Sequence, residues 1–291
     1  MIQIALYGIL LGGIYSLMAS GLSLLYGVMN IVNLAHAAFM VLACYMAFVF
    51  YQNLGLDPTV SMAITIPVFF LLGLLVYWAL LERVPRTRLY GSLTVLLTFG
   101  IALIVEGSIT QVFTGIYHST DPSYATGSIA VTSGIVLPEG QLYAFIVSII
   151  LLALLGAFLY LTRTGYAIRA SMQNRTAAQL IGVNVRRMSM LACGIGFALA
   201  GAAGSLFSYL FTFYPGIHWQ FIALLLSLIV VGGLGSLLGP VIAAVGLAVI
   251  AAYLAHWLNP VWSYLTFYIA LFVTLLVRPQ GIMGKDVRVS R

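Results

Sequence analysis

The chain has 291 residues, of which 63% are hydrophobic and only 6% charged, with twelve Lys and Arg against six Asp and Glu for a net charge of +6. An ordinary soluble chain carries about 25% charged residues, so neither a soluble enzyme nor a disordered segment fits this composition. A mean hydropathy of +1.12 and apolar runs of about 20 residues, the length that crosses the hydrocarbon as a helix, point instead to an all-α polytopic transmembrane bundle. The positive charge then reads as membrane topology, with no nucleic acid as partner.

Apolar runs between polar breaks predict spans at 2–27, 31–51, 61–81, 92–113, 142–162, 188–211, 219–238, 240–258 and 261–277. Some are expected to be discontinuous, as re-entrant half-helices, which makes eight to ten spans in a single transmembrane domain over 1–291. No charged residue precedes Asp57, so the first run lacks the basic region of a signal peptide and is expected to stay as a span. Along it Gly8, Gly12, Ser16 and Ser20 form a stripe every four residues, which lets membrane helices approach closely, either within one subunit or across a dimer face. Gly27 lacks a side chain and permits a break. Just after it Asn30, Asn33 and His36 recur every three residues, a spacing that puts them on one side of a helix. Polar atoms at membrane depth must face protein or water. These three either satisfy backbone groups freed at an interruption or line the path of a polar solute, as broken helices do in many transporters.

Span 92–113 carries Glu106, an intramembrane carboxyl that is costly unless neutral or hydrogen-bonded; structural bonding and proton coupling both remain open. The segment 114–141 is rich in Ser, Thr, Gly and Pro, and Ile129, Val131, Ile135 and Leu137 alternate around Ser133-Gly134 as in a small hairpin, for an external partner or as a plain connector. Segment 162–188 has helix-forming stretches on either side of Asn174. Ala167, Ala170 and Ser171, and again Ala177, Leu180 and Ile181, fall at helical spacing and give each stretch a small or apolar face. Ala178 and Gly182, four residues apart, share one helix face. Such a segment either docks into a groove on another protein or anchors to lipid headgroups. Gly196, Ala200 and Gly204 make a second small stripe, and Gly232, Gly233, Gly235 and Gly239 with Pro240 interrupt the chain between the seventh and eighth runs. That interruption is expected to face the first one across the pathway.

All twelve basic residues fall in three places: Arg83, Arg86 and Arg88; Arg163, Arg169, Arg175, Arg186 and Arg187; and Arg278, Lys285, Arg288 and Arg291. The positive-inside rule makes these segments cytoplasmic and leaves Asp57, Asp121 and Glu139 outside. With nine crossings the N-terminus is outside and the C-terminus inside. Cys44 and Cys193 sit in apolar runs without metal-ligand spacing and read as core thiols. The sequence holds no phosphate loop, His-Glu-x-x-His or nucleophile elbow, so no catalytic apparatus, metal or cofactor is expected.

The stretch T-G-Y-A-I-R-A-S-M-Q-N-R-T-A-A-Q-L-I-G-V-N-V followed by G-I-G-F-A-L-A-G-A-A-G resembles the cytoplasmic signature of the permeases of branched-chain amino acid ABC importers. L-S-L-L-Y-G-V-M-N-I-V-N-L-A-H-A-A-F-M and G-G-L-G-S-L-L-G-P are similar to that family's other motifs and come in family order. The resemblance implies a multi-pass inner-membrane subunit that pairs with a second permease, identical or related. It also implies cytoplasmic ATPase subunits and an extracytoplasmic solute-binding protein as partners, with cargo of branched-chain or related amino acids, urea, amides or other carboxylates. By the same resemblance Gly165, Ala167, Arg169, Ala170, Asn174, Ala177, Ala178, Gly182 and Asn184 match the ATPase-docking loop, and Asn30, Asn33, His36, Gly232, Gly233 and Gly235 are the candidate pathway residues. Relatives often carry a neutral amide in place of Glu106. The rival class is a self-contained secondary transporter or channel in which Glu106 is the proton or cation site.

Overall fold

Each predicted apolar run contains a helix, although 31–34 and 233–238 lie outside the helices, and the computed structural model describes residues 1–132 and 135–284. In chain order the elements are α1 Ile2–Met29, α2 Ala35–Leu54, α3 Pro58–Ala79, α4 Tyr90–Phe113, β1 Ser128–Thr132, β2 Ile135–Pro138, α5 Glu139–Leu161, α6 Arg163–Gln173, α7 Arg175–Leu180, α8 Val185–Leu210, α9 His218–Gly232, α10 Gly239–Trp257 and α11 Val261–Val277. Eight helical segments are long and apolar enough to cross a membrane, while α11 is apolar but spans only 17 residues. Seventeen is the short limit for a crossing, so nine passes are sterically in reach. β1 and β2 pair antiparallel with Ile129 opposite Leu137, the expected hairpin; its predicted turn at Ser133-Gly134 lies outside the described residues.

Between lipid-facing helices there is no hydrophobic gain to be had, so contact depends on close packing. The small-residue stripes provide it inside the subunit. A Cβ on Gly8 would lie 2.5 Å from Val249 Cα and one on Gly12 2.6 Å from Val245 Cα, so α1 and α10 touch backbone to backbone. Ser16 Oγ, one turn on, reaches the Val241 carbonyl at 3.3 Å. α8 is the central post: Gly196 meets Gly21 of α1, Gly204 meets α2 at Met40 and Ala43, and Gly194 meets α3 at Phe70 and Leu74. Ala200, in the same stripe, is buried, as are Cys44 and Cys193.

Asp57 and Asp121 lie at one end of the bundle, and the arginines, with Glu82 among them, at the other. Asp57 caps α3, its Oδ1 accepting from Thr59 N at 2.7 Å and from the Tyr124 hydroxyl at 2.8 Å. Burial, reinforced by that carboxylate, pushes the Tyr124 phenol above its ordinary value and keeps it a donor. Nearby the Tyr51 hydroxyl donates to the Asp121 carbonyl at 2.8 Å. At the other end Arg186 pairs with Glu82, and Arg175 is close enough to Arg86 for that charge, added to burial, to lower its pKa.

Two interruptions break the bundle. α1 runs through Gly27 and stops at Asn30, which takes the left-handed conformation at φ 55° with its N–H on the Tyr26 carbonyl. Gly27 is not the break. Its missing side chain makes room for Met172 of α6 instead. Asn30 and Asn33 therefore lie on non-helical chain, and the three-residue spacing does not make one face of them with His36. At the second interruption α9 ends at Gly232, against which the Gly239–Pro240 backbone packs so closely that no Cβ fits. Gly233 and Gly235 follow with φ of 109° and 79°, values open to glycine but strained for other residues. The segment after α11 returns to this point, with Ile282 N on the Val231 carbonyl at 2.8 Å and Met283 N on the Gly232 carbonyl at 3.0 Å.

Candidate functional site

The segment between α5 and α8 is shaped by three side-chain caps. Thr162 Oγ1 accepts from Gly165 N, Asn174 Oδ1 from Ala177 N and Asn184 Oδ1 from Arg187 N, each at 3.0 Å. Each cap supplies an acceptor to a first-turn N–H that has no partner within the helix. Asn174 thus splits the segment into α6 and α7, and Asn184 starts α8. Gly165 is buried where α6 folds back on α5, since a Cβ there would lie 2.6 Å from Leu159 Cα. Arg169 is tied down, its Nε donating to the Leu159 carbonyl at 2.9 Å and its guanidinium lying over the Tyr160 and Tyr166 rings at 4.2 and 4.7 Å. Arg175 Nη1 donates to the Val28 carbonyl at 3.3 Å and so places a cation at the carbonyl end of α1.

The two sequence faces of this segment differ in fate. Ala167 and Ala170 are half-buried and Ser171 buried, so that face packs on the bundle. Ala177 is exposed, and Leu180 and Ile181 keep 84% and 77% of their surface. Ala178, by contrast, is buried at 2%. It does not share a helix face with Gly182, because α7 ends at Leu180 and Gly182 turns the chain at φ 85°. Gly182 itself is open, with nothing within 4 Å of an added Cβ.

The first interruption supplies its own hydrogen bonds. Asn33 Oδ1 accepts from Ala35 N at 3.1 Å, and Thr98 Oγ1 of α4 accepts from Leu34 N at 3.2 Å and donates to the Val32 carbonyl at 3.4 Å. Asn33 and His36 are each 1% exposed. His36 Nε2 is 3.3 Å from the Met18 carbonyl, and its ring fills the space that Gly21 leaves. Both side chains therefore point into the helix bundle, while Asn30 is exposed. At the second interruption Gly232 and Gly233 are buried and Gly235 exposed. The two breaks are neighbours at the arginine-bearing end: Ser23 Oγ of α1 donates to the Ser236 carbonyl at 2.7 Å, and Leu237 packs with the apolar cluster that contains Ile31.

α4 forms an open face that sequence reading did not single out. Leu34 from the first interruption, together with Gly91, Ser92, Val95, Leu96 and Phe99, lines a furrow of about 560 Å³ along it. Farther along α4, Glu106 is partly exposed and accepts a hydrogen bond from Trp219 Nε1 of α9 at 3.1 Å on Oε2. His218 Nε2 lies 3.5 Å from the same oxygen, and the Phe99 and Trp219 rings pack 5.3 Å apart. An aromatic contact thus links the furrow to the acid. Trp219 and His218 had no signal in the sequence that tied them to Glu106.

A model of the family described as branched-chain amino acid transport system / permease component matches residues 4–276. The probable branched-chain amino acid transport permease protein LivH of Methanocaldococcus jannaschii is 29% identical over 284 residues, 93% of this chain and 88% of the relative. The high-affinity branched-chain amino acid transport system permease proteins BraD of Pseudomonas aeruginosa and LivH of Escherichia coli K12 are each 25% identical, over 96% of this chain and 94% of theirs. No solved structure matches the chain. A family match that reaches from α1 into α11, together with a bundle of apolar spans carrying the quoted motifs at its interruptions, identifies the chain as a member of the branched-chain amino acid permease family.

Proposed function

We propose that this membrane permease subunit forms half of the pathway of an ATP-driven importer for branched-chain or related amino acids, which an external binding protein delivers. The subunit hydrolyses nothing itself. Its arginine-bearing end faces the cytoplasm, in a multi-pass arrangement in the inner membrane. The observation that carries the reading is the pair Leu180 and Ile181, two large apolar side chains left at 84% and 77% exposure on a segment whose helices are capped by Thr162, Asn174 and Asn184. Such side chains at the water-facing end of a bundle have a use if a partner covers them. The partner here is the ATPase, which engages Ala177, Leu180, Ile181 and Gly182, while Gly165, Arg169, Ala178, Asn174 and Asn184 hold the segment in shape.

In this reading Ala167 and Ala170 transmit the movement to the bundle through their inward face. Solute passes along the open face of α4, against a second permease subunit that completes the wall. Asn33 and His36 act from behind, by fixing where α2 begins. Asn30, Gly232, Gly233 and Gly235 belong to the two interruptions, which lie together at the inner end and open as the ATPases separate. The test is uptake into vesicles that contain the chain, its ATPases, the second permease and the binding protein. Uptake of leucine that requires both ATP and binding protein supports the assignment. Uptake that ignores ATP and follows a proton gradient replaces it with a secondary transporter.

A further inference from the structure

We propose that Glu106, presented by Trp219 and His218, is the point on the pathway that receives the ammonium group of the cargo. This rests on the preceding reading for the cargo being an amino acid; the acceptor chemistry of the site stands on its own. A carboxyl on the open side of a membrane helix is too costly to face lipid and belongs to a path or an interface. Glu106 is such a group: its side chain keeps 26% of its surface, and it projects from the same stretch of α4 as Phe99 and Leu103.

The carboxylate is half-used by the protein. Trp219 Nε1 occupies Oε2 at 3.1 Å, while among the described residues no donor reaches Oε1. Gly216 flanks that free oxygen, and a Cβ in its place would lie 3.3 Å away, so glycine keeps the approach clear. Behind the acid, His218 is 1% exposed, and neither ring nitrogen has a hydrogen-bond partner although Nε2 stands 3.5 Å from Oε2. A buried polar ring without a partner beside a half-satisfied carboxylate marks a place where a further polar group is missing.

The chemistry selects an ammonium group. A carboxylate is repelled, so the carboxylate of the cargo points away from Glu106. A metal ion lacks ligands, because among the described residues no three His, Cys, Asp or Glu side chains come together. A primary ammonium brings three N–H donors, one of them for Oε1. With the ammonium held there, a branched apolar side chain lies along Leu103 and Phe99, down the furrow. Glu106 thus orients the cargo, and the furrow takes its apolar part.

Two measurements test this. In the assembled transporter Glu106→Gln, which keeps size and the Trp219 bond but removes the charge, should lower leucine uptake about tenfold or more, the loss expected of a charge-assisted hydrogen bond. Binding-protein-stimulated ATP hydrolysis should stay near normal, and Glu106→Asp should recover part of the uptake. A merely structural role would depress hydrolysis with uptake. Uptake unchanged in Glu106→Gln overturns the inference while leaving the transport assignment intact; failure of the unsubstituted transporter to take up leucine overturns that assignment instead. The second measurement needs neither import nor a substituted acid. A thiol placed by Leu103→Cys, one turn from Glu106, is alkylated with a maleimide while Cys44 and Cys193 stay buried and silent. Millimolar leucine should slow the labelling, and isocaproate, which is leucine without its amino group, should not. Equal protection by the two, or none by either, overturns the inference.

Discussion

Truncating Leu180 and Ile181 should weaken ATPase binding without loosening the permease. These side chains retain 84% and 77% of their surface in the subunit, so almost all of their apolar area is available to a partner. Burying a Leu or Ile contributes about 1.5–3 kcal/mol. Leu180→Ala and Ile181→Ala each remove most of that, about 2 kcal/mol, or about thirtyfold in Kd. The double variant should approach a thousandfold loss, at about 4 kcal/mol, if the two act independently. The assay is titration of the purified ATPase against permease in detergent or nanodiscs, with the thermal midpoint of the permease alone as control. That midpoint should hardly move, because surface substitutions away from packed features stay within about 0.5 kcal/mol. Ala178→Glu is the counterpart: at 2% exposure it buries an unpaired charge, costs several kcal/mol of permease stability and lowers the midpoint whether or not the ATPase is present. A double variant that binds the ATPase within about threefold of the unsubstituted chain refutes the docking role and leaves the segment as a headgroup anchor.

Gly12→Val should destabilise the bundle by about 1–3 kcal/mol, the usual cost of overpacking, because a Cβ at Gly12 already stands 2.6 Å from Val245 Cα; thermal unfolding in detergent reads this, and an unchanged midpoint would show that α1 and α10 are free to part. Asn33→Leu leaves the Ala35 N–H without its 3.1 Å acceptor and should cost about 1–3 kcal/mol, whereas Leu71→Ala on the lipid-facing side should cost far less; equal effects would mean that the interruption does not depend on Asn33. Reporter enzymes active only in the cytoplasm should work when fused after Arg88 or Arg175 and fail near Asp57 or Asp121, and activity at Asp121 would invert the assignment of the two ends.

The spans were readable because an apolar run bounded by polar residues has few alternatives in a bilayer, and the split of the inner segment was readable because asparagine caps a helix better than it continues one. The errors share a cause. Gly27 permits a break without requiring one, and α6 needed the space that its absent side chain leaves, so the chain turned at Asn30. Spacing arguments assume a continuous helix. They failed for Asn30, Asn33 and His36, which straddle a non-helical stretch, and for Ala178 and Gly182, which the left-handed turn at Gly182 separates. The partners of Glu106 were hidden for a different reason: Trp219 is 113 positions away in sequence, and only the packing of α9 on the open face of α4 brings them together.

The segment following α11 donates two backbone hydrogen bonds to the carbonyls of Val231 and Gly232 at the end of α9. Helix α9 enters the bilayer before α10 and α11 have been made, so during synthesis its last carbonyls wait without these donors. Seating of α9 is therefore completed only after α11 has been threaded and Ile282 and Met283 have emerged, so the end of α9 is closed by chain that is made after α11. A chain interrupted after Val277 would have α1 to α11 in place and the carbonyls of Val231 and Gly232 still without these two donors.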